Sequence, residues 1–337
     1  MEKYLICRPE GGFTDMLSQV SRCFNYCLRY GRVLVIDTEN SFSFSSPFCD
    51  YFSFVHPSLK VVTDPAEFIR TATAAGFSVH PPHARLTPSD HERPRYSYIN
   101  DLNVCFDGIP LTFAFDCDHD AAVLIHQQCG RTPFDFEFMS CLRLSPRMRG
   151  LVERRWASLP KPYIGVHVRN TDIKSDPDKV MPLIKCYPGT VFLATDSATV
   201  QRSVHKEAKR RIFTSKIPDF NGRPLHHRHV SKKMKIRINT TAIVDLILLA
   251  LSKRVYVATE ASGYSLLARK LNQNRRVIVA WLGRDLATGS CPWWSDAHLT
   301  IGTIQGSLSR CAAWFHASKA ARPLGGGRRK PNGATGI

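Results

Sequence analysis

The chain has 337 residues, with 46 lysines and arginines against 28 aspartates and glutamates, a formal charge of +18. That length exceeds one small core and implies one large or two medium domains; no apolar run approaches the ~18 residues of a membrane-spanning helix. The positive excess calls for an anionic partner, whether nucleic acid, nucleotide phosphate, anionic lipid or acidic glycan, and charge alone does not choose among these.

From the start, KYLIC (Lys3–Cys7) reads as a short strand and RPEGGFT as a glycine-bearing loop. Met16, Leu17, Val20, Cys23, Phe24, Cys27 and Leu28 then recur at helical spacing, and Gly31 can close that helix. RVLVID (Arg32–Asp37) is a second apolar strand, so this β-loop-α-β unit predicts a parallel pair. Phe42 to Pro94 shows no clear period. NVCFDG and LTFAFD are read as further short strands.

The second half alternates more plainly. PYIGVHV, TVFLATD (Thr190–Asp196), RRIFTS, RVYVAT (Arg254–Thr259) and RRVIVAW (Arg275–Trp281) are predicted strands. A polar helix from Ser197 to about Lys209, an apolar one over Thr240–Ser252 and a third over SGYSLLARKL lie between them. Such alternation predicts doubly wound parallel sheets. Two α/β lobes are expected, divided near Leu144–Pro160: an N-terminal lobe over 1–150, a C-terminal lobe over 151–322, and a flexible basic tail over 323–337.

The eleven cysteines contain no C-x-x-C pair, which disfavours a zinc or thioredoxin-type site and points to buried thiols in a reducing compartment. The opening MEKYLICRPEGG lacks the apolar stretch of a leader. A cytoplasmic location is therefore expected, with peripheral contact at the inner face of the membrane allowed by the charge.

In a parallel sheet, ligands bind beyond the carboxyl ends of strands. His167, Arg169 and Asp172 cluster at one such end, in YIGVHVRNTD. Arginine offers a fixed fork of donors that matches phosphate, although Arg169 and Asp172 alone are equally a structural pair. Thr195 and Asp196 end a second strand. Thr259, Glu260, Ser262 and Gly263 end a third, where a helix begins. Hydroxyls and backbone N–H groups at a helix N-terminus bind anions, and Ser262 is also an ordinary N-cap. Asp245 stands in a helix apolar nearly all round. A buried carboxylate is costly without partners, and a ligand pocket explains that cost better than a core ion pair.

IGVHVRNTD, VFLATD and AIVDLILLALSKRVYVATEAS, in this order and spacing over Tyr163–Leu271, resemble the three motifs of the GDP-fucose fucosyltransferase superfamily. The likeness is greatest to the α1,6-fucosyltransferases of nodulation-factor and N-glycan-core type, with the α1,2- and protein O-fucosyltransferases more distant. GGFTDMLSQ and YGRVLVID resemble that family's first loop, helix and strand.

The resemblance implies a GT-B-like α/β fold, two Rossmann-like lobes facing across a cleft. It implies inverting transfer of fucose from GDP-fucose to a glycan or lipid-linked oligosaccharide in surface polysaccharide synthesis. It places Arg169 on the diphosphate, His167 on the nucleoside, Asp245 on guanine and Ser262 on the β-phosphate. Gly11, Gly12, Asp172, Asp196 and Thr259 fall near the donor.

Three positions depart from the pattern. Asn170 stands where the core enzymes have a second arginine, Ser197 replaces a second acid, and no residue aligns with a glutamate beyond the first motif. Asp172, Asp176 and Asp15 are the candidate bases, Asp176 and Asp178 lie near that glutamate's place without aligning to it, and Lys174 can aid the phosphate or hold the base.

No cofactor is expected beyond the sugar nucleotide, and no metal. D-x-D occurs in DCDHD (Asp116–Asp120) and in DPD (Asp176–Asp178), outside the context in which it binds a divalent ion. HHRH (His226–His229) reads as a solvated loop, as does the basic run Arg223–Arg237, though the latter can face an anionic acceptor or lipid. The competing readings keep the fold with another nucleotide-sugar donor, or make the protein a non-catalytic binder of sugar nucleotide or nucleic acid. Nucleic acid is disfavoured because the basic residues are dispersed.

Overall fold

In the computed structural model the described residues are 2–39, 41, 44–84, 86, 97–99, 102–104, 108–130, 132–208, 211–219 and 230–283. The elements in chain order begin with β1 (Tyr4–Cys7), α1 (Phe13–Tyr30), β2 (Val33–Ile36), β3 (Phe52–Phe54), β4 (Val61–Val62), α2 (Pro65–Ala74) and β5 (Val79–His80). β6 (Ser97–Ile99), β7 (Leu102–Val104), β8 (Val123–His126), α3 (Phe136–Ser140), β9 (Leu142–Leu144) and α4 (Pro146–Ala157) follow. The rest are β10 (Tyr163–Val168), α5 (Met181–Cys186), β11 (Thr190–Thr195), α6 (Ala198–Ala208), β12 (Ile212–Thr214), α7 (Lys232–Leu251), β13 (Val255–Val257), α8 (Gly263–Gln273) and α9 (Arg275–Trp281). No helix among the described residues is long and apolar enough to cross a membrane.

Two parallel sheets organise the chain, as the alternating pattern predicts. The first has the order β4-β2-β1-β8-β5 and the second β12-β11-β10-β13. All pairings within both sheets are parallel. In the first, strand order reverses beside β1; in the second, beside β10. Such reversals open a crevice beyond the strands' carboxyl ends. β3 and β9 form a separate antiparallel pair, as do β6 and β7.

The apolar stripe of α1 is buried through Met16, Leu17, Val20, Cys23, Phe24 and Cys27. Gly31, at φ 66°, closes the helix in the left-handed conformation that glycine tolerates. The core of the second sheet is formed by β10 and β11, buried along their whole lengths, and by residues 243–251 of α7.

Gly165 lets α7 lie close on β10. A Cβ there would come within 2.9 Å of both Leu249 Cδ2 and Ser252 Oγ. Gly165→Ala is therefore expected to destabilise the protein by about 1–3 kcal/mol through overpacking, read as a lower midpoint in thermal or urea unfolding. An unchanged midpoint would mean that α7 shifts freely on the sheet.

Several predicted elements differ. Arg275–Trp281 is the helix α9, not a strand. Its β-branched residues suggest a strand, but packing decides otherwise: Val277, Ile278 and Trp281 are buried together. The Trp281 ring lies 5.3 Å from that of Phe52, and its Nε1 donates to the Met139 carbonyl at 2.7 Å.

LTFAFD is irregular rather than a strand. Its aromatics serve α1 instead: the Phe113 ring lies 5.0 Å from Tyr26, and Arg22 sits 4.0 Å over Phe115. β7 takes in the first two residues of NVCFDG, Asn103 and Val104, and 105–107 lie outside the described residues. The segment Leu144–Pro160 contains α4, whose N-cap Ser145 accepts from Met148 N at 3.3 Å. α7 begins eight residues earlier than predicted, so the basic residues Lys232–Arg237 are helical rather than a loop. Residues 223–229, including HHRH, and the tail lie outside the described residues.

Candidate active site

β10, β11 and β13 end side by side, and their following loops carry Arg169, Asp196 and Ser262. These three, with His167, Asp172 and Asp245, line a cavity of about 400 Å³. Gly12–Asp15, at the start of α1, line it as well. Residues from both halves of the sequence therefore share one cavity wall.

Arg169 is the most engaged group. Its Nε and Nη2 donate to the two Asp172 carboxylate oxygens at 2.8 and 2.9 Å. Asp196 Oδ2 lies 3.2 Å from Nε. Asp196 is anchored from below: Oδ1 accepts from Asn170 N at 2.7 Å, and Oδ2 from Thr171 Oγ1 at 2.5 Å. This carboxylate holds the loop after β10 and orients Arg169.

His167 is buried at the end of β10, and its Nδ1 shares a 2.7 Å hydrogen bond with Ser265 Oγ. Burial first, and the Arg169 charge second, lower its pKa to about 3, so the ring is neutral. The Tyr264 ring lies 4.8 Å away. The Tyr264 hydroxyl donates to the Ala242 carbonyl at 2.6 Å, tying α8 to α7. Ser262 caps α8, accepting from Ser265 N at 3.4 Å.

Asp245 is 5 % exposed and points from α7 into the cavity. Burial raises its pKa to about 7, against the opposing effects of a hydrogen bond from Ser215 and the charge of Arg155. The expectation of a buried acid beside a pocket describes this geometry.

Other candidates sit back from the cavity wall. Lys174 turns away and donates to the Asn170 carbonyl at 3.2 Å. Asp176 caps a short 3₁₀ turn, accepting from Asp178 N at 3.0 Å. Thr259 Oγ1 accepts from Ala261 N at 3.2 Å, shaping the loop that presents Ser262. Gly11 acts through its backbone: φ is +90°, and a Cβ would lie 2.8 Å from Asp15 Oδ2. That space lets Asp15 accept from Gly12 N at 3.1 Å and cap α1. Of the candidate bases, Asp15 and Asp172 line the cavity and Asp176 does not. In DCDHD, Asp118 pairs with Arg32 at 2.8 Å and with Lys3 at 3.1 Å.

Ser215, Lys216 and Asn239 are not among the residues singled out from the sequence, and Arg237 appears there only as the end of a basic run. Ser215 and Lys216 follow β12, and the strand-end rule that found Asp196 applies to them equally. Arg237 and Asn239 line the cavity from the first turns of α7. Arg237, Thr241 and Asp245 share one face at i, i+4 and i+8, which becomes visible once the helix is started at its N-cap Ser231.

No protein-family model matches the chain, and no curated protein does. Solved structures do. NodZ α-1,6-fucosyltransferase soaked with GDP-fucose aligns at 21% identity and a TM-score of 0.54, over 80% of this chain and 93% of that one. The fucosyltransferase NodZ from Bradyrhizobium aligns at 20% identity and 0.54, over 80% and 93%. POFUT1 in complex with GDP aligns at 15% identity and 0.51, over 81% and 96%. At these identities the likeness is one of fold: the α/β architecture expected from the sequence is the one this chain shares with these fucosyltransferases.

Proposed function

We propose that the protein is an inverting glycosyltransferase that moves fucose from GDP-fucose to a glycan or lipid-linked oligosaccharide. One observation carries the reading. A single cavity joins a strand-end arginine, a helix N-terminus and a buried acid, in a fold shared with a fucosyltransferase whose crystal was soaked with GDP-fucose. In a GT-B arrangement the lobe up to about residue 150 would face the acceptor and the following lobe would hold the donor.

The chemistry follows from the residue types. Asp245 accepts from the N1–H and N2–H edge of guanine, and neutral His167 lies against the nucleoside. As the acceptor oxygen bonds to the anomeric carbon, the bond to the β-phosphate oxygen breaks and its electron pair stays on GDP. Arg169 and the N-terminus of α8 stabilise that charge. Asp15 or Asp172 takes the acceptor's proton. A single displacement from the opposite face inverts the anomeric centre. The acceptor belongs to surface polysaccharide synthesis in this reading, handled in the cytoplasm or at the inner membrane face. Lys174 supports the loop after β10 rather than the reacting atoms.

No metal is called for, since cationic side chains and the helix N-terminus already serve the leaving group. Purified protein should be protected thermally by GDP and far less by UDP or ADP, and should release fucose from GDP-fucose in EDTA as fast as with added magnesium. Equal protection by GDP and UDP would sink the donor assignment. Loss of turnover in EDTA, restored by metal, would restore a role for D-x-D.

A further inference from the structure

Arg169 is not a free positive charge. Two carboxylates already face it, Asp172 through both oxygens and Asp196 at 3.2 Å. Asp15 adds a third negative charge to its surroundings. One guanidinium among these acids leaves their neighbourhood net negative. A diphosphate arriving there would find only Nη1 without a carboxylate.

The described cavity wall carries two more cations, Lys216 and Arg237. Both are exposed, and neither has a hydrogen bond or ion pair among the described residues. They come from different elements. Arg237 shares a face of α7 with Thr241 and Asp245, and all three line the cavity. Eight residues of helix rise about 12 Å, comparable to the reach from the edge of a nucleobase to the terminal phosphate of a nucleoside diphosphate. A nucleotide lying along α7 with its base at Asp245 would bring that phosphate to the level of Arg237. Lys216 directly follows Ser215, which bonds to Asp245, and its long flexible stem can follow the ligand along the wall.

We infer that Arg237 and Lys216 are anion-binding residues of this cavity and receive the diphosphate of the donor, with Arg169 contributing the one arm its acids leave open. The inference rests on reading the cavity as a nucleoside-diphosphate site. It also gives the basic start of α7 a task that a solvated surface does not have. Charge-assisted contacts of this kind are the strong ones, and arginine makes them in pairs.

The test is calorimetric titration of GDP, guanosine and inorganic pyrophosphate into the full chain. The proteins are the wild type, Arg237→Gln, Lys216→Gln and the double variant. Both side chains are exposed, so folding should be kept, and circular dichroism checks it. GDP affinity should fall about tenfold in each single variant and about a hundredfold in the double variant. Guanosine affinity should not change. The salt dependence of GDP binding should be shallower in the double variant.

GDP affinity kept in the double variant overturns the inference. So does an equal fall for GDP and guanosine, which marks a structural role. A wild type that ignores both GDP and guanosine defeats the donor reading instead. In that case pyrophosphate decides: binding lost in the double variant keeps the anion site, while binding retained, or no binding by the wild type, removes it.

Discussion

Replacing Arg169 by alanine is expected to lower transfer about a hundredfold to a thousandfold, about 3–4 kcal/mol of transition-state stabilisation. The guanidinium does two things at once. Nε and Nη2 hold Asp172, and the side chain lines the cavity in which the leaving group would sit. The alanine variant also leaves Asp196 without its ion pair, although that carboxylate keeps its bonds from Asn170 N and Thr171 Oγ1. Because Arg169 is 22 % exposed, the stability loss should be modest, about 1–2 kcal/mol after screening.

Arg169→Lys separates the two effects. A lysine restores the charge beside Asp196 and most of the stability, but one ammonium cannot hold Asp172 in two parallel bonds and also meet a phosphate. Unfolding midpoints should recover while turnover stays low. Near-normal turnover in the lysine variant would reduce Arg169 to a point charge, and near-normal turnover in the alanine variant would remove it from the reaction.

Asp245 should couple donor binding to pH. Its pKa is raised to about 7 by burial, so the acid is substantially neutral below that pH. Guanine needs the charged form, which alone accepts from both N–H groups without carrying a proton of its own. GDP affinity should therefore climb with pH up to about 7, approaching tenfold per unit well below it, and level off above. The empty protein should behave in the opposite sense. The folded pKa lies above the unfolded one, so this group's stabilising contribution is complete below ~4 and lost as pH rises through about 7.

Asp245→Asn keeps size and removes titration. GDP affinity should drop about tenfold to a hundredfold and become flat with pH, since hydrogen bonds to a charged acceptor contribute about 1.5–3 kcal/mol each. Asp245→Leu should fold, at the cost of leaving the Ser215 hydroxyl without this acceptor, and should lose preference for GDP over UDP. Calorimetric titration from pH 5 to pH 8 reads all three proteins. A flat wild-type profile, or wild-type GDP affinity in the leucine variant, would make Asp245 a structural core acid.

Much of the second sheet is legible without coordinates. β10 and β11 are unbroken apolar runs, and each ends in residues costly to bury. A chain keeps such residues at a strand end when they meet one another or a ligand, and Arg169, Asp172 and Asp196 do meet. The lone acid of α7 was visible on the same ground. The opening β-α-β unit was legible from the spacing of Met16 to Cys27 and from Gly31.

The remainder depends on partners distant in the chain. β8 lies beside β1 in the middle of the first sheet, yet its four residues show no period of their own. RRVIVAW becomes a helix because Trp281 finds Phe52 and the Met139 carbonyl, contacts that no local pattern carries. Thr259, Lys174 and Asp176 share the composition of a site but spend their polar atoms on nearby backbone. Arg237 reads as one more charge in a basic run until the first turns of α7 place it on the face of Asp245. The opening β-α-β unit, β10 and β11 with their chemically loaded ends, and the fold class are therefore legible from the residues alone, because period and burial cost are local properties. Only the tertiary structure decided which of those ends share a cavity and which charges remain unmatched there, because ion pairing is settled by neighbours in space.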